Sequence, residues 1–590
     1  MTSERKLLIL FGSQTGTAEE VAEGLARDGF RRHFDVELSS LDQFDIQKLL
    51  HSRLAIFVCS TTGQGDPPSN MKKFWKFLLR KNLPADSLGN LHFVMVGLGD
   101  SSYIKYNFIG KKLYRRLCQL SASPVLYPVL CDEQHQLGSD AALDEHLPIM
   151  WEKILELFPL PSNCIQIPRY EILPPKFKVN RDQHPSMPMS MSMPNHVSTR
   201  NSSSAPFASR LISNERITSP EHFQDVRLIR LDISGSDIRY DVGDVAYLWP
   251  QNSQSMVETF LTLLSLDGSG CISIEPFASG THIPFRLAKV STWRDLATDY
   301  LDLSSVPTRY FFELMSHFSR DEQEKEKLEE FCSAEGQDAR FSYCNRVKRS
   351  IIEVLTEFPN TTPYIPVNYI LDLFPALQPR AFSIASAPQK GMAIIELLVA
   401  VVKYRTKLVE PRLGVCSNWL ANMDSSADNT VPVLTEKGTL RFPAAGEPCI
   451  LIGPGTGVAP FRSFLHKRVS QGHIRNLLIF GSRNKDGDFL CEDEWRSMVS
   501  DGFLQLLTAF SRDQPEKYYV WNAMQDNSEL IWDWLRQEHS YIFVAGNAKR
   551  MPDDVRATLV NIVSEHLGDG EGEPYIAELE KVGRYQLECW

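Results

Sequence analysis

A chain of 590 residues with 43% hydrophobic and 23% charged side chains is too long for one core and ordinary for a globular protein, so three or four domains are expected. A formal net charge of −11, with no basic tail or arginine-rich run, excludes a general nucleic-acid binder. No stretch reaches the roughly 18 apolar residues of a membrane helix, and the start MTSERKLLILFGSQ lacks a signal peptide's pattern. Eleven scattered cysteines without a Cys-x-x-Cys pair argue against a disulfide framework and for a reducing, cytoplasmic setting.

Residues 1–155 alternate apolar strand runs (KLLILFG, RLAIFVCS, LHFVMVGLG) with helix patterns over 18–32 and 70–80, the mark of a doubly wound parallel sheet. In 156–206 prolines recur around PSMPMSMSMPN and STRNSSSAP. That is the composition of a flexible linker or, alternatively, of a long surface loop. From 207 to 445 strand signals dominate both ends (VRLIRLDIS, DVGDVAYLWP, PRAFSIAS, AIIELLVAVV), with a helix-rich stretch over about 255–373 between them. A β-barrel with a helical insertion is expected. Strands and helices alternate again over 446–590, in CILIGPG, NLLIFGSR, LQLLTAFSR and SYIFVAG, giving a second α/β domain.

The first strand run ends in Gly12-Ser13-Gln14-Thr15-Gly16-Thr17. This backbone can curl around an anion, the hydroxyls of Ser13, Thr15 and Thr17 add donors, and the following helix turns its positive end to the site. With no lysine and no Gly-x-x-x-x-Gly-Lys-Ser/Thr pattern, the loop suits a phosphate that stays bound rather than one that is transferred. Two more loops close later strand runs: Ser60-Thr61-Thr62-Gly63-Gln64-Gly65-Asp66-Pro67, and Gly97-Leu98-Gly99-Asp100-Ser101-Ser102-Tyr103-Ile104-Lys105-Tyr106-Asn107. Ligands of open α/β sheets sit at such strand ends, and aromatics beside a phosphate loop suit a flat ring with a phosphate tail. Any one of these glycines reads equally as a tight turn. Together, in order, the three loops resemble the flavodoxin pattern. The resemblance implies FMN held by these loops, with Tyr103 on the ring and Asp132 near it. Many relatives have tyrosine at the position of Thr62, which implies a ring stacked on one side only.

Arg380-Ala381-Phe382-Ser383-Ile384-Ala385-Ser386 opens a later strand. Its arginine can meet a pyrophosphate, its phenylalanine can pack on a ring and Ser383 can reach a ring nitrogen. Arg380 alone reads equally as a surface ion pair. Gly414-Val415-Cys416-Ser417-Asn418-Trp419 follows as a glycine-to-helix turn. The pair resembles the FAD site of the ferredoxin-NADP reductase family, which implies Arg349 as a further phosphate contact.

In the last domain, Gly453-Pro454-Gly455-Thr456-Gly457 lies between a strand and a helix, the setting that a dinucleotide pyrophosphate needs. Gly481-Ser482-Arg483 ends the next strand, and Ser511, Arg512, Lys517 and Tyr519 supply hydroxyls, cations and an aromatic face. This set suits the 2′-phosphate and adenine of NADPH, or alternatively a solvated face. Ala545-Gly546-Asn547 stands where relatives commonly carry Cys-Gly-Asp, and Asp554 matches a further nucleotide contact. At the end, Leu587-Glu588-Cys589-Trp590 resembles relatives in which an aromatic covers the FAD ring beside an acid. Ser383, Glu588 and Trp590 are therefore the expected catalytic set. Deleting Trp590 is expected to raise use of NADH relative to NADPH; an unchanged ratio of kcat/KM for the two would contradict this.

Nearly end to end, the chain resembles the diflavin reductases. The resemblance implies a path from NADPH to FAD to FMN to a protein acceptor, with the span 156–206 letting the FMN domain swing. An anchor, a haem domain, a calmodulin helix and a long linker are expected to be absent, which would separate it from other branches. The Thr-Thr-Gly-Gln-Gly-Asp loop and the ending Leu-Glu-x-Trp are most similar to the soluble branch of cytosolic iron–sulfur assembly. By that resemblance the acceptor is an anamorsin-type iron–sulfur protein. A soluble haem protein or methionine synthase is the alternative acceptor, and a flavin-binding scaffold without turnover is the alternative class. Lys72-Lys73-Phe74-Trp75-Lys76 reads as a dock for an acidic partner or as a solvated helix face.

Overall fold

The run KLLILFG has no polar face, and the strand it forms is buried on both sides, as a central parallel strand requires. The computed structural model describes residues 5–589 except 64, 104, 139, 182–204, 278–282, 285, 334, 390, 392, 427 and 445. In the first domain the elements are β1 (Lys6–Gly12), α1 (Thr17–Arg31), β2 (Asp35–Ser40), β3 (Leu54–Ser60), α2 (Lys72–Leu78), β4 (His92–Gly99), α3 (Phe108–Gln119), β5 (Ser123–Pro124), β6 (Val129–Asp132) and α4 (Asp140–Leu157). All strands are parallel in the order β2-β1-β3-β4-β5, with β6 also beside β4. Helices α1 and α4 cover the face carrying Leu7, Ile9 and Ile56. The opposite face, with Leu10, Phe57 and Phe93, is covered by α2 and α3. The strand order reverses between β1 and β3, which gathers the loops after β1, β3 and β4 at one edge.

Residues 158–176 do not behave as the flexible linker expected of the span 156–206. Arg5 Nη1 donates to the Phe158 carbonyl at 2.6 Å, and Ile167 N donates to the Arg31 carbonyl at 2.8 Å. Buried Arg31 donates to the carbonyls of Pro168 and Glu171 at 2.7 and 2.8 Å. The strand Phe177–Arg181 then pairs antiparallel with Cys271–Pro276. Backbone polar groups tied this way fix a proline-rich stretch that has no hydrophobic period to announce it. The rest of the expected linker, 182–204, lies outside the described residues.

Two compact units result: Met1–Ser190 with Asn252–Gln378, and Met191–Gln251 with Pro379–Trp590. The first joins the opening α/β domain to the helical insertion. Helices of the insertion start at Ser253, Thr292, Thr308, Asp321 and Ser350, each of which caps the helix with its side chain. Their core includes Phe260, Trp293, Phe311, Phe312, Phe331 and Phe374.

The second unit holds a six-stranded antiparallel sheet: Arg380–Ser383, Val245–Leu248, Thr430–Glu436, Phe207–Arg216, Val226–Asp232 and Ile394–Ala400, in spatial order. A bridge between Ile384 and Leu397 closes it into the expected barrel. Beyond it, five parallel strands run in the order Gln505–Phe510, Asn476–Ser482, Cys449–Ile452, Tyr541–Gly546, Tyr585–Cys589. One apolar core spans both parts, with Leu228 and Leu398 of the barrel against Phe461 and Phe464 of the last domain. No helix among the described residues is long and apolar enough to cross a membrane.

Candidate cofactor sites

The first site lies at the carboxyl ends of β1, β3, β4 and β6. Gly16, with φ of 100°, caps α1, and its N–H donates to Ser13 Oγ at 3.0 Å, so the phosphate loop is bent by its own hydrogen bond. Two bonds tie it to the turn after the second loop: Ser13 N to Asn70 Oδ1 at 2.8 Å, and Ser69 N to Gln14 Oε1 at 2.9 Å. Thr15 and Thr17 are exposed. Ser60 Oγ donates to the Gly12 carbonyl at 3.3 Å. In the second loop Thr62 N and Oγ1 both donate to the Asp66 carbonyl at 3.0 Å, and Gly63 takes a φ of 48°. Thr61 N donates to the Leu98 carbonyl at 3.3 Å, so Leu98 serves through its backbone while its side chain packs in the core.

Asn107, left-handed at φ 52° and fully buried, anchors the third loop. Its Nδ2 donates to the Cys131 carbonyl at 3.0 Å, while Oδ1 is buried without a partner. A Cβ on Gly97 or Gly99 would stand within 3.0 Å of this side chain, which is why both are glycine. An orphaned buried acceptor at the end of the third loop fits a donor supplied by a bound group. Tyr103 is 36% exposed, and Tyr106 Oη donates to the Leu130 carbonyl at 3.1 Å. Asp132 accepts from Ser101 N at 2.9 Å and Gln134 N at 3.0 Å. Burial raises its carboxyl, yet these bonds outweigh that and hold it below the usual range. Asp100 similarly accepts from Ser102 N and Gln134 Nε2. Both carboxylates therefore brace the loop.

In the second unit Ser383 pairs with Val245 across the barrel sheet. Its Oγ donates to Glu588 Oε1 at 2.8 Å, and Thr439 Oγ1 donates to Oε2 at 2.9 Å. Sequence reasoning singled out Ser383 and Glu588, which the fold brings together, and passed over Thr439, which is 149 positions from its partner and carries no motif. Arg380 and Ala381 are exposed, Phe382 is half-buried, and Ile384 and Ala385 are fully buried. Burial pushes the Cys416 thiol up to about 12, opposed by the Arg380 charge, so the two barrel motifs lie together. Buried Ser417 accepts from Val402 N at 3.0 Å, and a Cβ on Gly414 would meet Val402 at 2.7 Å. The half-buried Trp419 packs against the barrel core. Arg349 belongs to the insertion of the first unit, where its guanidinium meets Glu357 and lies over the Tyr343 ring at 4.2 Å.

The third site follows the same rule as the first. Strand order reverses at Cys449–Ile452, where the glycine turn meets the end of Tyr541–Gly546. A Cβ at Gly457 would stand 2.2 Å from the Ala545 carbonyl oxygen, which fixes glycine there. Thr456 sits half-buried on this turn. Ser511 N donates to the Ser482 carbonyl and Arg512 N to the Arg483 carbonyl, at 2.9 and 2.8 Å, which sets the two cation-bearing loops side by side. Ser482 Oγ is buried without a partner, the atom expected where a nucleotide supplies the missing bond. Arg512 and Lys517 are exposed, and Tyr519 stacks on Trp521 at 4.5 Å. Asp554 lies in the first turn of the helix Met551–Leu567.

Glu588 stands opposite Ala545 across the sheet. Cys589, one position on, packs against the core on the other face, and burial pushes its thiol up to about 12. It therefore does not restore the thiol that Ala545 lacks. Asn547 Oδ1 accepts from Lys549 N at 2.9 Å and so caps its own loop. Trp590 lies outside the described residues.

Family comparisons agree with this layout. Residues 9–145 match the model for flavodoxin, 199–419 that for an FAD binding domain, and 451–557 that for an oxidoreductase NAD-binding domain. The chain is 44% identical over 597 residues to the NADPH-dependent diflavin oxidoreductase 1 of Xenopus laevis, covering all of both chains. It is 37% identical over 626 residues to that of Arabidopsis thaliana, covering 100% of this chain and 99% of the relative. The likeness to that of Schizosaccharomyces pombe is 36% over 590 residues, covering 99% of each. With three nucleotide sites in matching order, the chain belongs to the family of NADPH-dependent diflavin oxidoreductases, enzymes of NADPH, FAD and FMN.

Proposed function

We propose that this enzyme carries electrons from NADPH through FAD and FMN to an anamorsin-type iron–sulfur protein of cytosolic iron–sulfur assembly, and that it works in the cytoplasm. The observation that carries delivery to a protein is the edge formed by the three flavodoxin loops, with Tyr103 36% exposed. The iron–sulfur acceptor is supported by the branch resemblance of the loop Thr61–Asp66 and of the ending Leu587-Glu588-Cys589-Trp590.

When bound, the two flavins supply the conversion of a two-electron donor into single-electron deliveries. The chain's own residues do the positioning. The backbone of Ser13–Thr17 would hold the phosphate and Tyr103 would cover one ring face, while Asn107 fixes the end of the third loop. In the barrel, Arg380 would meet a pyrophosphate and Phe382 would pack on the ring. Ser383 Oγ–H donates a hydrogen bond to Glu588, and its free lone pair would accept from a ring N–H. Thr439 holds the other carboxylate oxygen, so Glu588 stays aligned beside the transfer site. Ser482, Ser511, Arg512, Lys517 and Tyr519 take the 2′-phosphate and adenine.

The test is anaerobic: NADPH-driven bleaching of an oxidised anamorsin-type [2Fe–2S] protein, with ferricyanide in parallel. Cluster reduction is expected; ferricyanide reduction without it would discard that acceptor. Ser383→Ala is expected to slow ferricyanide reduction by about 10²-fold with both flavins retained. Unchanged turnover would remove Ser383 from the transfer site.

A further inference from the structure

Residues 72–116 carry ten lysines and arginines and two aspartates, in a chain of net charge −11. The fold gathers this charge. Helices α2 and α3 lie on the same face of the first sheet. Arg116 locks them side by side, donating from α3 to the carbonyls of Leu78 at 2.7 Å and Arg80 at 3.1 Å. Their apolar sides are buried through Phe74, Leu78, Leu113 and Leu117. Lys73, Lys76, Arg80, Lys112 and Arg115 are left exposed, with Leu79 between them 54% exposed. None of these five forms an ion pair with an acidic side chain among the described residues.

Both helices begin at the flavin loops. The turn before α2 is bonded to the phosphate loop through Asn70 and Ser69, and α3 is capped by Asn107. Between them, the stem of exposed Lys105 lies so close to Gly65 of the second loop that a Cβ there would meet it at 2.8 Å. The positive face thus starts at the flavin edge. The opposite face of the same domain is acidic and is used inside the first unit: Asp144 of α4 pairs with Arg309, and Glu23 of α1 with Lys176, both at 2.6 Å.

We infer that the α2–α3 face is the docking surface for the electron acceptor, and that the acceptor is a protein with an acidic surface around its own redox centre. The inference rests on the diflavin reading and deepens it. A positive field at the exit edge steers a negative partner and fixes its register over the flavin. Anionic lipid or nucleic acid would match the charge but takes no electron, so a protein acceptor is the occupant that the position favours.

The test uses the full holoenzyme and two haem proteins of opposite charge, an acidic soluble b-type cytochrome and a basic c-type cytochrome. Three exposed positions outside the loops are reversed together: Lys73→Glu, Lys76→Glu and Lys112→Glu. Expected are at least about tenfold slower reduction of the acidic cytochrome at low salt and a matching loss of affinity by interferometry. Reduction of the basic cytochrome rises, while NADPH reduction of both flavins and of ferricyanide is unchanged. For the unaltered enzyme, the rate with the acidic cytochrome falls as salt rises. An unaltered rate and Kd in the triple variant would overturn the inference. So would slowed flavin reduction, which would make the face an internal dock, or loss of binding only to anionic vesicles or DNA. If the unaltered enzyme fails to reduce its flavins with NADPH, the diflavin reading falls instead.

Discussion

Each unit joins two parts, and the two joints are built from different materials. Between the opening domain and the insertion, charged contacts predominate: Arg31 with Glu313 at 3.0 Å, Arg309 with Asp144, Lys176 with Glu23, and Arg27 over the Tyr310 ring at 3.5 Å. A cleft of about 160 Å³ lies among these side chains, and no apolar cluster of the described residues spans the joint. Between the barrel and the last domain, one apolar core is continuous. Buried Arg462 crosses that core, donating to Glu396 at 2.6 Å, to the Ala385 carbonyl at 2.9 Å and to Glu494 at 2.7 Å. Ion pairs reached by water contribute little and weaken with salt, whereas buried apolar area is insensitive to both. NADPH and FAD need a fixed geometry, which the continuous core supplies.

The largest expected effect breaks the rigid joint. Arg462→Ala empties a buried crossing and leaves half-buried Glu396 and Glu494 with only Arg230 and His466 as partners, at a cost toward the lower end of about 3–5 kcal/mol. Pulse proteolysis with mass-spectrometric mapping should show the second unit destabilised and the first unchanged. Equal loss in both units would contradict separate joints. Next, Arg31→Ala removes the donor holding Pro168 and Glu171, at about 1.5–3 kcal/mol. Cleavage within 158–176 should then become faster, and unchanged cleavage would show that this stretch is held otherwise.

Acidity separates the joints too. Burial, with Glu23 nearby, raises the Glu19 carboxyl to about 7, and burial raises Asp372 to about 6. A carboxyl raised by folding contributes stability below its unfolded value, and this is lost as pH climbs through the folded value. The first joint should therefore loosen between about pH 4 and 7, and Glu19→Gln should flatten that dependence. Glu494 goes the other way. Burial raises it, but His466 and Arg462 outweigh burial and hold it at about 2. Its contribution is lost only as pH falls from the ordinary carboxylate range toward 2. Proteolysis across about pH 4–7 that loosens both joints alike would contradict this assignment. The smallest effect is expected from Asp144→Ala, at about 0–1 kcal/mol, read as a slight rise in cleavage at the first joint at low salt only.

The sites are legible in sequence where chemistry is local. A phosphate loop needs glycine, small hydroxyls and a strand before it, all within six residues, so Gly12–Thr17 and Gly453–Gly457 can be read directly. Ser383 is legible with its motif. Thr439, Asn70 and the orphaned Ser482 Oγ matter through partners distant in the chain or through a missing bond, and no period or spacing encodes either. Residues 158–176 differ from the linker expected of them for a related reason: composition reports the absence of a core pattern, not the presence of donors such as Arg5 and Arg31 elsewhere. The basic helix Lys72–Lys76 stands out in the sequence, but its alliance with α3 needs the sheet that sets them side by side.

The most direct measurement is hydroxyl-radical footprinting of the holoenzyme as salt rises from about 50 to about 500 mM, which shortens the Debye length severalfold. Tyr310 reports the charged joint, and Phe461 and Phe464 report the apolar one. Oxidation of Tyr310 is expected to rise several-fold while both phenylalanines stay protected. A Tyr310 that stays protected, or phenylalanines that open with it, would contradict the division into one joint that releases and one that holds.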